Sequence, residues 1–250
     1  MRNPTTGILL KLGSVALFTA MAAILKGTAA AVPAGEQMFF RSLFGLPVIL
    51  VWLALRGELA TGLHTANPMS HAYRGIVGSI SMGCTFAGLG LLPFPEATAL
   101  GYAMPLMIVI FAAMFLNERV GVFRLSMVAL GLAGVLVTLA LFLGWQGVTL
   151  RLIGQGGTVP ASQSLGAVLA LTGASFGALA QIFISRMVLT EKPSAVVFWF
   201  LAMVAAGAGL LAWPQWVPLR MEDGWLLAGI AVSGTLGQVA LTHAFRLGEA

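Results

Sequence analysis

The chain has 250 residues, of which 59% are hydrophobic and 8% charged, with a formal net charge of +5. Soluble domains carry about 25% charged residues, so this composition excludes an ordinary water-exposed globular surface. A mean hydropathy of +0.97 and 31 glycines fit a membrane bundle, where small residues let helices approach closely.

Taken in chain order, eight runs are long and apolar enough for a spanning helix of about 20 residues. They are Gly7–Ala31, Gln37–Leu55, Arg74–Leu92, Ala97–Leu116, Leu125–Leu143, Leu165–Ser185, Ala195–Trp213 and Trp225–Phe245. Barrel strands would alternate over roughly ten residues, and that alternation is absent. The first run has Arg2 and Lys11 near its start and Ala29-Ala30-Ala31 at its end, which is the outline of a cleavable leader. Leader cores are about 7–15 residues long; this run is longer, so it is expected to stay as a span.

The basic residues set the orientation. With the N-terminus in the cytoplasm, Arg2, Lys11, Arg56, Arg74, Arg119, Arg124, Arg186, Lys192 and Arg246 fall on cytoplasmic segments. Only Arg151 and Arg220 fall outside, and Lys26 and Arg41 lie within runs. Positive loops mark the cytoplasmic side, so the expected location is the inner membrane, multi-pass, N-terminus inside. Topology accounts for the positive charge, and nucleic acid is not an expected partner. Trp52, Trp145, Trp213, Trp216 and Trp225 fall at the ends of runs, where an aromatic belt places them. Cys84 is the one cysteine, so no internal disulfide is possible.

The connection at 144–164, rich in Gly, Gln and Thr, divides the chain into halves, 1–143 and 165–250. The halves resemble each other weakly. An offset of 160 residues places Lys26 on Arg186, Pro33 on Pro193, Gly13 on Gly173 and Met38-Phe39-Phe40 on Phe198-Trp199-Phe200. An offset of 153 then places Glu96-Ala97 on Glu249-Ala250. The unit is five helices, an odd number, so the second copy must cross in the opposite direction. Inverted repeats are a recurring design of secondary transporters. The first copy opens its fourth helix at Glu96-Ala97, whereas its counterpart ends the chain. Eight spans of an expected ten are therefore present, as in a shortened ten-span protein or an eight-span remnant.

Several short motifs carry a family likeness: Phe39-Phe40-Arg41-Ser42 and Lys26; then Glu96-Ala97-Thr98-Ala99, Pro105 and Asn117-Glu118-Arg119; then Ala244-Phe245-Arg246-Leu247-Gly248-Glu249-Ala250. In these residues, and over essentially its whole length, the chain resembles the EamA-like branch of the drug/metabolite transporter superfamily. The resemblance implies an all-α integral membrane bundle of two inverted five-helix repeats that moves a small organic metabolite. Amino acids, nucleoside-like compounds, vitamins such as riboflavin, and S-adenosylmethionine all fit it.

Candidate solute-binding residues follow from the cost of polar groups in hydrocarbon. Lys26 and Arg41 form either a cationic vestibule for a carboxylate or phosphate, or interfacial charges that snorkel or bond to Glu36. Gln181 and Gln238 either meet a solute or bond between helices, and His243 lies near a helix end. Tyr102 and Trp199 offer aromatic faces for a ring, or pack against lipid and core. Pro105 removes a backbone hydrogen bond in mid-run and should kink or hinge it. Glu96 and Glu249 open helices, where the dipole stabilises a carboxylate, or act as coupling acids. Small residues recur every four positions at Ser79, Gly83 and Ala87; at Gly166, Ala170, Ala174 and Ala178; and at Gly229, Ser233 and Gly237, which are close-packing faces.

No HExxH, GxSxG or P-loop pattern is present, and His64 and His71 are read as loop residues without metal-spaced carboxylates. No catalytic residue, metal or cofactor is expected. The expected partners are a small solute and the lipid bilayer, with homodimerisation left open. The competing readings are a non-transporting helical membrane module and a transporter remnant.

Overall fold

Prolines stand at five of the ten α-helix starts among the described residues. Helix α1 (Pro4–Thr28), α4 (Pro68–Leu91) and α9 (Pro193–Ala212) each begin on one, and α2 (Ala34–Leu55) and α5 (Phe94–Gly101) begin directly after Pro33 and Pro93. The first helical position leaves its N–H without a partner in any case, so proline fits there. The remaining elements are α3 (Leu59–Gly62), α6 (Ala103–Leu116), α7 (Val122–Leu152), α8 (Ala161–Met187) and α10 (Met221–Leu247), with a 3-10 turn at Trp213–Gln215. The structure, a computed structural model, describes residues 4–116, 121–152 and 161–247.

All eight apolar runs are helical. Six stretches are long and apolar enough to cross a membrane: Thr5–Thr28, Ala34–Leu55, Phe94–Phe115, Ala161–Met187, Pro193–Ala212 and Met221–Leu247. Val122–Val137 is a shorter apolar helix, and α4 is long enough but carries Ser70, His71, Arg74, Ser79, Ser81 and Thr85. Leu9, Val122, Leu210 and Leu211 are among many large apolar side chains left exposed, the arrangement a lipid solvent favours and water does not. The protein is a multi-pass helical membrane protein.

Three local departures from the sequence pattern have simple causes. The fourth run is broken at Tyr102, between α5 and α6. Pro105 has no N–H for the carbonyl of Gly101 and its ring crowds that carbonyl, so the helix is interrupted one turn ahead of the proline. Next, α7 continues to Leu152 through the expected loop, so Trp145 lies inside a helix and not at its end. Gly144 and Gly147 lower helix propensity by only about 1 kcal/mol each, and no proline intervenes before Pro160. Finally, α4 starts at Pro68, six residues ahead of the apolar run. The Asn67 side chain accepts the Ser70 N–H at 3.3 Å, an N-cap bond that satisfies one free donor of the first turn.

The helices form two compact units, one from Met1–Ser79 with Phe183–Ala250 and one from Ile80–Ile182. Helices α4 and α8 each pass through both. In the first unit α1 packs along α10, and α2 packs along both α9 and α10. Glycines permit these approaches: a methyl at Gly237 would touch Phe18 and Leu17, and one at Gly45 would collide with Thr235. Helix α2 ends on Gly57 at φ 67°, with Gly57 N–H bonded to Ala54 and Glu58 N–H to Leu53. That pattern needs a left-handed residue, which only glycine supplies cheaply. In the second unit, Gly88 of α4 meets the backbone of Gly166 and Ala170 of α8, and Gly173 meets Ser81 and Thr85. The Ser81 hydroxyl donates to the Gly173 carbonyl at 2.8 Å. Leu92, Leu100, Ala167 and Ala170 form its core, with Val135 and Leu139 of α7 against them.

Candidate functional site

Two arginines are buried in the first unit. Arg41 of α2 is 2% exposed and Arg74 of α4 is 4% exposed. Arg41 lies seven residues, about 10 Å, into α2. A methyl on Gly234 would sit 2.9 Å from its Nε, and Gly234 is near the middle of α10, so the guanidinium reaches the centre of the bundle. The Arg74 guanidinium stands over the ring of Phe200 of α9, 4.0 Å from its centroid, and lies against Gly78 of its own helix. Burying a cation costs several kcal/mol even after relaxation, and a desolvated cation–π contact returns about 2 kcal/mol. Packing therefore does not account for Arg74. Its Nε and Nη1 are buried with no hydrogen-bond partner among the described residues.

One end of this unit is closed by Glu191, in the connection between α8 and α9. Its Oε1 accepts the Ala66 N–H at 2.9 Å, the Asn67 N–H at 2.9 Å and the Thr65 hydroxyl at 3.0 Å. Its Oε2 faces His71 Nε2 at 3.7 Å. Burial alone would raise the pKa of Glu191. The bonds from Asn67, Thr65 and Ala66 and the neighbouring His71 outweigh it and hold the carboxyl below the ordinary carboxylate range. Alongside, the Trp199 indole donates to the Leu63 carbonyl at 3.1 Å and the Ser194 hydroxyl to the Gly62 carbonyl at 2.8 Å. His71 is three residues before Arg74, on the same face of α4, so Arg74 lies one turn behind this closure.

The other end is closed by Glu36, fully buried in the first turn of α2. Its Oε1 accepts the Val217 N–H at 2.6 Å. Trp216 packs edge-on against Phe39 and Phe40, with centroids 5.2 and 5.4 Å away. A cavity of about 100 Å³ lined by Pro33, Gly35, Glu36, Leu211 and Ala212 opens here, which is smaller than the roughly 300 Å³ of a small-molecule site.

The chain has relatives among known proteins. Residues 5–140 match the EamA-like transporter family. The chain belongs to this family. The pseudopaline exporter CntI of Pseudomonas aeruginosa strain UCBPP-PA14 is 30% identical over 96% of this chain and 78% of its own length. The S-adenosylmethionine uptake transporter of Rickettsia bellii strain RML369-C is 32% identical over 42% of this chain and 35% of its own. A crystal structure of a protein 21% identical in sequence superposes with a TM-score of 0.64, covering 98% of this chain and 80% of that one; at that identity the likeness concerns fold alone.

Against this EamA-like frame, the six residues marked out in the sequence divide between the units. Lys26, Arg41, Trp199 and Gln238 are in the first, and Tyr102 and Gln181 in the second. Lys26 is half-buried in the last turn of α1, and Gln238 is buried in α10. Trp199 contributes its N–H to the Glu191 closure. Gln181 directs its amide to Met104 Sδ at 3.9 Å, a weak contact between α8 and α6. Tyr102, at the helix break, is 65% exposed. His243 stacks edge-on with Trp52 at 5.8 Å, and Arg56 covers the same indole at 4.5 Å. Glu96 sits in the first turn of α5; Glu118, Arg119 and Glu249 lie outside the described residues.

Two expectations need correction. Arg74, counted among cytoplasmic loop charges, is buried, because its helix begins two turns earlier at the Asn67-Pro68 cap. His71, read as a loop residue, is in the first turn of α4 and faces Glu191. No spacing rule links residues 120 positions apart. The Asn-Pro start signal was the cue that could have placed Arg74 inside.

Proposed function

We propose that this EamA-like protein is a secondary transporter that moves a small organic metabolite across the inner membrane by alternating access, with its N-terminus in the cytoplasm. The Glu36 and Glu191 closures are its two gates, and transport, not catalysis, is its activity. One observation carries the reading. The offset of 160 places Phe39 on Trp199, and Leu63 and Trp216 lie in the corresponding connections between the second and third spans of each half; these four residues form the contacts Phe39–Trp216 and Trp199–Leu63 at opposite ends of one unit. A repeat used twice in opposite directions supplies one gate per side. Helix pairing supports the same reading: under the repeat, the α1–α10 pair of the first unit corresponds to the α8–α4 pair of the second. Pro105, at the α5–α6 break, is assigned as a hinge. Gln181, Gln238, Tyr102 and Lys26 are assigned as further solute contacts, on the basis of their polarity within or beside spans.

Cross-linking tests the reading. In a Cys84→Ala background, Leu63→Cys with Trp199→Cys, or Phe39→Cys with Trp216→Cys, is joined by a short bis-methanethiosulfonate reagent in proteoliposomes, each thiolate forming a mixed disulfide as methanesulfinate leaves. Flux of a defined mixture of amino acids, riboflavin, nucleosides and S-adenosylmethionine is followed by mass spectrometry. Either lock is expected to stop flux, and reduction of a cleavable linker to restore it. Flux that continues with one end locked would rule out the two-gate reading.

A further inference from the structure

Arg74 is a permanent cation buried one helical turn behind the Glu191 closure, with Nε and Nη1 lacking a hydrogen-bond partner among the described residues. The face it meets is the ring of Phe200, which holds a cation without neutralising it. Arg41 is a second buried cation of the same unit, on a different helix. A protein that needed these positions only for packing gains nothing from two like charges buried in one unit, in a medium that penalises each. A ligand oxyanion answers all of this at once, because guanidinium N–H groups pair with carboxylate and phosphate oxygens in a fixed fork. Gly78 fits the same account. Any side chain there would press on the Arg74 guanidinium, so glycine leaves that group its place.

We propose that Arg74 is the recognition subsite for an oxyanion, a carboxylate or phosphate group carried by the transported solute, with Arg41 a second cation buried in the same unit. The proposal rests on the transporter reading for the word solute, but the site itself is defined by these side chains. The Glu191 closure then governs access. His71 and Arg74 share a face of α4, and Trp199 and Phe200 are adjacent on α9, so opening the Glu191 end moves both walls that cover Arg74. Of the charged groups around it, Arg41 comes from α2, His71 from α4 and Glu191 from the α8–α9 connection, and Glu191 is already engaged by four partners.

The test is thermal unfolding of the full chain in detergent, with glutamate, citrate and inorganic phosphate each titrated against sodium chloride at matched ionic strength. A saturable rise in Tm with a carboxylate or with phosphate is expected, and which one produces it assigns the oxyanion. Arg74→Met and Arg74→Gln are expected to lose that rise, Arg74→Lys to keep a weakened one, and Gly78→Ala to weaken it with the charge still present. Without any added anion, Arg74→Met is expected to unfold at a higher temperature than the native chain, since it removes a buried charge that lacks its ligand. An Arg74→Met chain that is less stable without anions, or an anion response unchanged by Arg74→Met, overturns the proposal. No response to any of the three anions overturns it as well. Flux of the metabolite mixture is measured in parallel. Flux without an anion response removes the subsite and leaves the transporter, whereas an Arg74-dependent anion response without flux does the reverse.

Discussion

The two closures of the first unit do the same job with different chemistry. At the Glu36 end, one N–H bond to a carboxylate is surrounded by Phe39, Phe40 and Trp216. At the Glu191 end, one carboxylate oxygen gathers three donors, and a histidine, a tryptophan N–H and a serine hydroxyl complete the contact. The first end is held mainly by apolar rings, whose contact is indifferent to pH. The second is held by polar groups that one proton can weaken. The difference teaches that the two ends of one unit can be closed by different forces.

Glu191→Ala should break that comparison most severely. It removes an acceptor from three donors and the partner of His71. Hydrogen bonds to a charged group are worth about 1.5–3 kcal/mol each, so a net loss of roughly 2–4 kcal/mol is expected, read as a lower Tm and faster maleimide labelling of Ser194→Cys. Trp216→Ala at the other end should cost less, about 1–2 kcal/mol, because the indole is partly exposed and its ring pairs are worth about 0.5–1.5 kcal/mol each. Labelling of Ser194→Cys should not change in that variant. Unchanged Tm in Glu191→Ala would mean that the Glu191 contacts do not hold the end shut.

Acid should separate the two ends further. A carboxylate whose folded pKa lies below its unfolded value stabilises the fold above the unfolded pKa, and that stability is lost as pH falls through the folded pKa. The Tm advantage of the native chain over Glu191→Gln is therefore expected to be full above about pH 5 and to shrink as pH drops below about 4. An advantage that grew toward acid would reverse the sign and refute the assignment. The smallest effects are expected from glycines beside each gate. A methyl at Gly62 would press on Leu53 and Ser194, whereas one at Gly35 would meet Ala212 at 3.1 Å. Gly62→Ala should cost about 1–2 kcal/mol as an overpacked contact, and Gly35→Ala less than about 1 kcal/mol. Equal losses would show that the two ends are packed alike.

The helices were legible because lipid imposes a length and an apolarity that windows of sequence display directly. What they concealed was whatever does not depend on apolarity. Helix α7 runs nine residues past its apolar stretch because backbone hydrogen bonds continue without help from lipid. The four-residue α3 is too short to show a period. Arg41 was visible as a charge inside an apolar run, whereas Arg74 stood at the edge of one and was read as interfacial. The Glu191 contacts join segments about 125 residues apart, and a sequence without its fold carries no sign of them. The contacts Trp199–Leu63 and Phe39–Trp216 were half visible: the offset that places Phe39 on Trp199 was in the sequence, but not what either residue touches.

Asn67 has a consequence for the speed of the protein. Its side chain caps α4 while its backbone N–H belongs to Glu191. In the proposed gating, release of Glu191 leaves the cap in place, so α4 would enter the open state with its first turn still wound. Reclosing then requires a movement of intact segments and no rewinding of a frayed end. Such collective motions take microseconds to milliseconds, while recovery from local unfolding extends to seconds. On that proposal a single asparagine at the mouth of the helix keeps the gate in the faster regime, and its replacement by alanine should slow turnover more than it alters the affinity for solute.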